Sequence, residues 1–472
     1  MKSVATGVCF RLPELQSVPR GFESYIYGEW IDRNPLPVQA EIDGQSLIIT
    51  YNYKESLRII IPWEVEGLGV FFLKTVSLPK VEAPYDLLLE LARGTVGRLV
   101  DQTENWKASG LVLPVELEDQ LALVKQNFRQ ATFSEGEQRN RFAEVSIGAA
   151  IHLMNEVGTV FAKYVFELRK KEKQPSSALI AAPFYSAPTR QQTTFQQVFN
   201  SALVSDAMSD DLPVSQLVAN IHERGLTTCS EPLFGFRDLA KSDYASIDEL
   251  ESFLLNDAKK RLESGLSGCK LIYPMANVGF REANGWNDQE QIHLVYELFS
   301  GLKNSFPKIP LIVGIDQPFG ESQVSGRSMN PLQLADNLIR METPIAAISL
   351  EINMGYYPDG TWIRDLFAFN DLLDSWAQFD YPMLLQLRIP GGGPASENED
   401  GSHRSAADPD SQSTWLEKIS LLAMAKHNVA GVIYSESIDR AGDPFYGAGL
   451  ISSSMNEKPA LSAIRQVRRA MS

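Results

Sequence analysis

Three hydrophobic periods follow one another along the chain. Between residues 1 and 83, apolar and polar positions alternate in short runs: YIYGEW, VQAEIDGQSLIITYNY, LRIIIPW and GVFFLKTVSL. A period of two that turns at Asp43-Gly44 predicts a hairpin, and the region as a whole a small β-sandwich-like domain or partial barrel.

From 84 to 174 the spacing lengthens to three and four. Leu87, Leu88 and Leu91 fall on one face, as do Ile151, Met154, Val157, Phe161 and Val165 in a proline-free run from Glu135 to Lys173. The pattern predicts helices packed on one another, a helical hairpin or linker region. That run ends in RKKEK, cations suited to the carboxyl end of a helix dipole.

From 177 to 472, short apolar runs alternate with amphipathic segments. The runs are ALIAAPFY, a weaker ALVSDAM, LTTCSEPLF, KLIYPMA, IPLIVGID, AAISLEI, MLLQLRI and GVIYSES. Between them lie helical patterns such as QEQIHLVYELFSGLKNSF and IRDLFAFNDLLDSWAQF. Eight strand candidates with intervening helices over roughly 295 residues predict an α/β fold, a (β/α)8 TIM barrel. An open doubly wound sheet is the competing arrangement. The two glycines of GLGVFF, however, lack the third glycine and the strand-helix setting of a dinucleotide fingerprint, and no GxxxxGK[ST] phosphate loop occurs. The polar stretch from Gly391 to Ser413 is expected to be a mobile loop between strand seven and its helix.

Composition narrows the function classes. A chain of 472 residues exceeds the usual size of one core, and 44% hydrophobic with 22% charged residues is ordinary for a globular protein. The formal net charge of -16 repels phosphate backbones and anionic membrane surfaces, so neither nucleic acid nor membrane is an expected partner. Cys9, Cys229 and Cys269 form no paired framework or metal-ligand spacing. The amino-terminal stretch has no signal-peptide h-region, and no apolar run approaches the ~20 residues that span a bilayer. A reducing, cytoplasmic location is expected. His152, His222, His293, His403 and His427 show no HxH or HExxH spacing, so no metal or other cofactor is expected.

In a (β/α)8 barrel, residues at the carboxyl ends of the strands converge on one mouth. That rule selects Glu231, Asp316, Glu351 and Glu436. Paired carboxylates suit glycosidic bond cleavage, one protonating the leaving oxygen and the other attacking the sugar or activating water. The competing reading has each acid bonded to a loop backbone or to an arginine such as Arg281, Arg388 or Arg440. Sugars stack on aromatic faces, and the loops after these strands carry Trp286, Tyr356, Tyr357, Trp362, Phe445 and Tyr446. Trp376 and Trp415 lie within helical periodicity and read as packing residues. Catalysis is therefore assigned to Glu351 and Glu436, with Asp316 orienting a hydroxyl. Substrate binding is assigned to Glu231, Trp286, Tyr356, Trp362, Tyr446 and Arg388.

The stretches GIDQPFGE, ISLEINMGYYPDGTWIRDL and YGAGLISSSMNEKPAL make the carboxyl-terminal two-thirds resemble bacterial proteins related to glycoside hydrolase family 10, the endo-1,4-β-xylanases. Upstream, PYDLLLELARGTVGRLVDQTENW is similar to the helical segment before the barrel in multidomain relatives. The resemblance implies the barrel more firmly than the reaction. In the family, strand four ends in a motif like W-D-V-V-N-E with the general acid/base glutamate. Here KLIYPMA places Met275 at that position. Strand seven of the family reads like Q-I-T-E-L-D and supplies the nucleophile, where PMLLQLRIP offers Leu387, or with a one-residue slip Gln386 or Arg388. The strand-six histidine of the family has no counterpart in SLEIN. Three readings follow: a displaced carboxylate pair acting on a saccharide, a pseudoenzyme that only binds an oligosaccharide or glycan, and a scaffold whose amino-terminal β and helical parts bind a protein partner.

Overall fold

A computed structural model describes residues 6–13, 21–79, 81, 83–174, 176–185, 195–208, 212–236, 239–276, 285–321, 329–357, 360–392, 396–397, 403–404, 408–440 and 442–471. The chain divides into two compact units. One comprises Met1–Val165 with Phe319–Asn330 and Trp362–Ser375; the other comprises Phe166–Pro318, Pro331–Thr361 and Trp376–Ser472. The first unit thus gathers the β region, the helices that follow it and two later excursions of the chain, where the sequence pattern divides residues 1–83 from 84–174.

Within the first unit, two four-stranded sheets form. One runs in the order Gln39–Asp43, Ser46–Tyr51, Thr6–Arg11, Tyr85–Asp86; the other in the order Pro35–Leu36, Tyr27–Glu29, Arg58–Val65, Gly69–Lys74. The first hairpin turns at Asp43-Gly44, where Gly44 adopts φ 60, a left-handed backbone that a side chain would disfavour. Helices Leu87–Ala108, Val115–Phe133 and Gly136–Lys171 follow. Their apolar stripes meet through Val96, Leu99, Leu121, Val124, Ala150, Met154 and Val157, and the Trp106 ring stacks on Phe161 at 4.1 Å. The third helix has 36 residues, and its most apolar window, of mean hydropathy 1.3, has the length and composition of a membrane span. Half of that stretch is buried inside the fold.

The second unit contains eight parallel strands: β1 Leu179–Pro183, β2 Ser201–Val204, β3 Thr227–Ser230, β4 Ile272–Ala276, β5 Leu311–Asp316, β6 Ala347–Asn353, β7 Met383–Arg388 and β8 Val429–Tyr434. Their order is β3-β2-β1-β8-β7-β6-β5-β4, with a two-residue strand, Phe234–Gly235, also on β4. The ring closes between β3 and β4. There Cys229 bridges Leu271 in parallel, the Ser230 amide donates to the Leu271 carbonyl at 3.0 Å, and the Lys270 amide to the Thr228 carbonyl at 2.9 Å. This closure makes the fold a (β/α)8 barrel and excludes the open sheet. Every one of the eight apolar runs forms a strand, including the weaker ALVSDAM.

Alternation along each strand sorts the side chains. Ala181, Leu203, Cys229, Tyr273, Ile312, Ala347, Leu384 and Ile433, one from each strand, pack together as a layer inside the ring. Moving two residues at a time toward the carboxyl ends, the same face carries Ile312, Gly314 and Asp316 on β5, Ala347, Ser349 and Glu351 on β6, and Leu384, Gln386 and Arg388 on β7. Apolar side chains therefore fill the floor and polar ones the mouth.

Candidate functional site

The mouth of the barrel holds a cavity of about 330 Å³. Its walls include Glu231 after β3, Glu351 on β6, Gln386 and Arg388 on β7, and Ser435, Glu436 and Arg440 after β8, together with Tyr185 and Ser205. Three of the four carboxylates selected from the sequence thus meet in one concavity, with Arg388.

Arg388 organises them. Its Nη1 donates to Glu351 Oε1 at 2.7 Å and to Asn353 Oδ1 at 3.1 Å, while its Nε donates to Glu436 Oε1 at 3.0 Å. Asn353 Nδ2 closes the circuit by donating to Glu351 Oε1 at 3.0 Å. The parallel register explains the arrangement: Asn353 stands opposite Arg388 and Glu351 opposite Gln386. The Arg388 guanidinium also lies 4.5 Å from the centroid of the Phe445 ring. Burial works against its charge, but Glu351 and Glu436 outweigh that and hold it above the ordinary arginine value.

Burial pushes the carboxyl of Glu436 above the ordinary glutamate value, against the pull of Arg388 and with support from Asp443 and Glu231. Glu231 is likewise pushed up by burial, while the Ser205 hydroxyl and the charges of Arg388, Arg440 and Arg261 act in the other direction. Two carboxyls that keep their protons to higher pH than usual therefore face one polar cavity.

Asp316 is 5% exposed and stands opposite Glu351 in the β5–β6 register, yet it does not line the cavity. The aromatic assignments fare differently. Trp286 is buried: its indole N–H donates to the Leu239 carbonyl at 2.7 Å, and its ring packs edge-on against Phe236. Trp362 belongs to the other unit, where it is buried against Tyr25 and Phe72. Neither ring offers a free face to a sugar, because a large apolar surface gains more from packing than from waiting in water. Tyr356 is buried too, its hydroxyl donating to the carbonyls of Phe445 and Tyr446, and its ring set edge-on against Phe445. Tyr446 is 40% exposed but stands outside the cavity wall.

The same strand-end rule, applied beyond acids, would have found Tyr185 and Ser205. Gln386 lies inside β7, where only the closed ring reveals which face is inward. Arg440 rests its guanidinium 4.6 Å over the Tyr185 ring. Arg281 and much of the stretch from Gly391 to Ser413 lie outside the described residues. Among the described parts of that stretch, Ser396–Glu397 and His403–Arg404 form a small antiparallel sheet with Tyr356–Tyr357, and helix Pro409–Ala425 begins within it. Met275 is fully buried on β4, two residues beyond Tyr273. No group of three His, Cys, Asp or Glu side chains that could hold a metal occurs among the described residues.

No family model matches the chain, and no curated protein matches it either. Solved structures to which it is similar include xylanase 10B from Thermotoga maritima, at 16% identity over 65% of this chain and 98% of that one, with a TM-score of 0.46. They also include a family 10 xylanase from Thermobacillus composti, at 9% identity over 64% of this chain and 99% of that one, with a TM-score of 0.44. A third, β-glucuronidase 2 from Bacteroides uniformis, is 14% identical over 63% of this chain and 35% of that one, with a TM-score of 0.45.

Proposed function

We propose that the barrel mouth is a carbohydrate site and that the chain hydrolyses O-glycosidic bonds with a carboxylate pair displaced from the family 10 positions. The observation that carries this reading is the convergence of Glu231, Glu351 and Glu436 with Arg388 on one cavity. In this reading Glu231, protonated to higher pH than an ordinary glutamate, donates to the leaving oxygen. Glu436, whose carboxyl is raised by burial against the opposing pull of the Arg388 bond, attacks the sugar or activates water once it is ionised. Glu351 and Asn353 hold the guanidinium in place rather than taking part. The family's own acid/base and nucleophile positions are then occupied by Met275 and by Leu387, Gln386 or Arg388, none of which can act as a carboxylate.

A screen of wild-type protein against β-linked oligosaccharides, repeated with Glu231→Gln and Glu436→Gln, tests the pair. Loss of general acid/base assistance lowers turnover by about 100-fold or more. Wild-type turnover in both variants would remove the pair from consideration.

A second reading has a specific observation in its favour. Glu351 and Glu436 share a single guanidinium, so each ion pair is already formed without a ligand. Such an arrangement serves a site that binds oligosaccharide without cleaving it. Its signature is calorimetric binding of an oligosaccharide that is recovered intact.

A further inference from the structure

The amino-terminal unit contains a second cavity, of about 280 Å³, that shares no lining residue with the barrel mouth. One wall is a single face of helix Leu87–Ala108, carrying Gly94, Gly97, Arg98, Asp101, Gln102 and Asn105 at spacings of three and four. Arg33, Arg58 and Lys74 converge on it from the β region.

The ion pairs there are shared between residues. Arg58 and Lys74 share Glu29, at 3.3 and 3.2 Å, and Arg33 and Lys74 share Asp371, at 3.1 and 3.7 Å. Within this subset three cations divide two carboxylates; with Arg98 paired to Asp365 and Asp101 also on the wall, four cations face four carboxylates. Arg98 gives Nη2 to Asp365 at 2.5 Å, but its Nε is buried with no hydrogen-bond partner. Arg58 is bonded through Nη1 alone. The Arg58 guanidinium, a planar fork with donors to spare, matches the oxygens of a tetrahedral anion. Two glycines keep the helix face low. Gly94 lets the Lys74 carbonyl approach to where a Cβ would stand 1.9 Å from its oxygen, whereas a Cβ on Gly97 would meet nothing within 4 Å.

We propose that this cavity binds the oxyanion group of a small phosphorylated or sulfated ligand, held by Arg58, Arg98, Arg33 and Lys74, with Gly97 leaving the space that it fills. The ligand's oxygens would take guanidinium N–H groups that the carboxylates leave unused. The volume suits one such group on a small molecule, at the low end for ligand pockets.

Thermal shift and isothermal titration of the full chain with sodium phosphate and with sodium sulfate, each against sodium chloride at equal ionic strength, test the site. Wild-type protein is expected to be stabilised by the tetrahedral anions and not by chloride. A ten-fold preference for phosphate over sulfate assigns phosphoesters, and equal binding assigns either ester class. Arg58→Gln is expected to weaken binding at least ten-fold. Gly97→Leu, whose side chain enters open space on a helix, is expected to abolish binding while the protein stays folded without anion. Stabilisation no greater than that by chloride, or unchanged affinity in Gly97→Leu, would overturn the proposal. Neither result depends on what happens at the barrel mouth.

Discussion

Glu351 and Arg388 form a 2.7 Å ion pair across neighbouring parallel strands, with side chains 6% and 15% exposed. Because Arg388 also serves Glu436, its removal leaves one buried and one part-buried carboxylate without their cation. Replacing Arg388 by Met is expected to destabilise the fold by about 3 to 5 kcal/mol, the usual cost of breaking one side of a buried pair. Chemical denaturation at neutral pH measures it. A loss within the scatter of surface substitutions would mean that water reaches the pair and screens it.

Stability should respond to pH through Glu231 and Glu436. Both carboxyls are raised by burial, so between the ordinary glutamate value and their own the folded chain binds more protons than the unfolded chain. Stability contributed by these groups is therefore present at acid pH and declines as pH rises through their folded values. Glu231→Gln removes one contribution to that decline and is expected to raise Tm at pH 7 relative to wild type. A melting series from pH 4 to pH 8 on both proteins decides it, and a lower Tm for the variant throughout would contradict the sign.

Trp286 is a packing residue in the structure, with its N–H satisfied by Leu239. Trp286→Ala should cost about 3 to 5 kcal/mol, as for other buried aromatics truncated to alanine. Trp286→Phe keeps most of the apolar volume and is expected to leave oligosaccharide affinity unchanged. A tenfold loss of affinity in a folded Trp286→Phe protein would instead place the ring against the ligand.

Gly94 is required by close approach rather than by backbone angle. A Cβ there would stand 1.9 Å from the Lys74 oxygen, which is main chain and cannot swing aside. Gly94→Ala, favourable in an open helix, is expected here to destabilise by about 1 to 3 kcal/mol through overpacking. Urea denaturation beside Gly97→Ala, which has free space, separates the two effects. Equal stability changes at both positions would show that the helix can shift.

What the sequence by itself determined is the order and kind of the elements. Alternation around Asp43-Gly44, the three-four spacing of Ile151, Met154 and Val157, and eight apolar runs are each local, because period follows from the geometry of one strand or one helix. Glu231, Glu351 and Glu436 were legible as mouth residues for the same reason, since strand ends in a closed barrel share one rim. Tertiary structure alone decided which neighbours those acids meet. Arg388 reaches Glu351 and Glu436 because ring closure and parallel register set β6, β7 and β8 side by side, a relation between segments tens of residues apart. The fate of Trp286, Trp362 and Tyr356 was settled in the same way. An aromatic ring in a loop has the same local signature whether it faces a groove or fills a core, and only the packing around it separates the two.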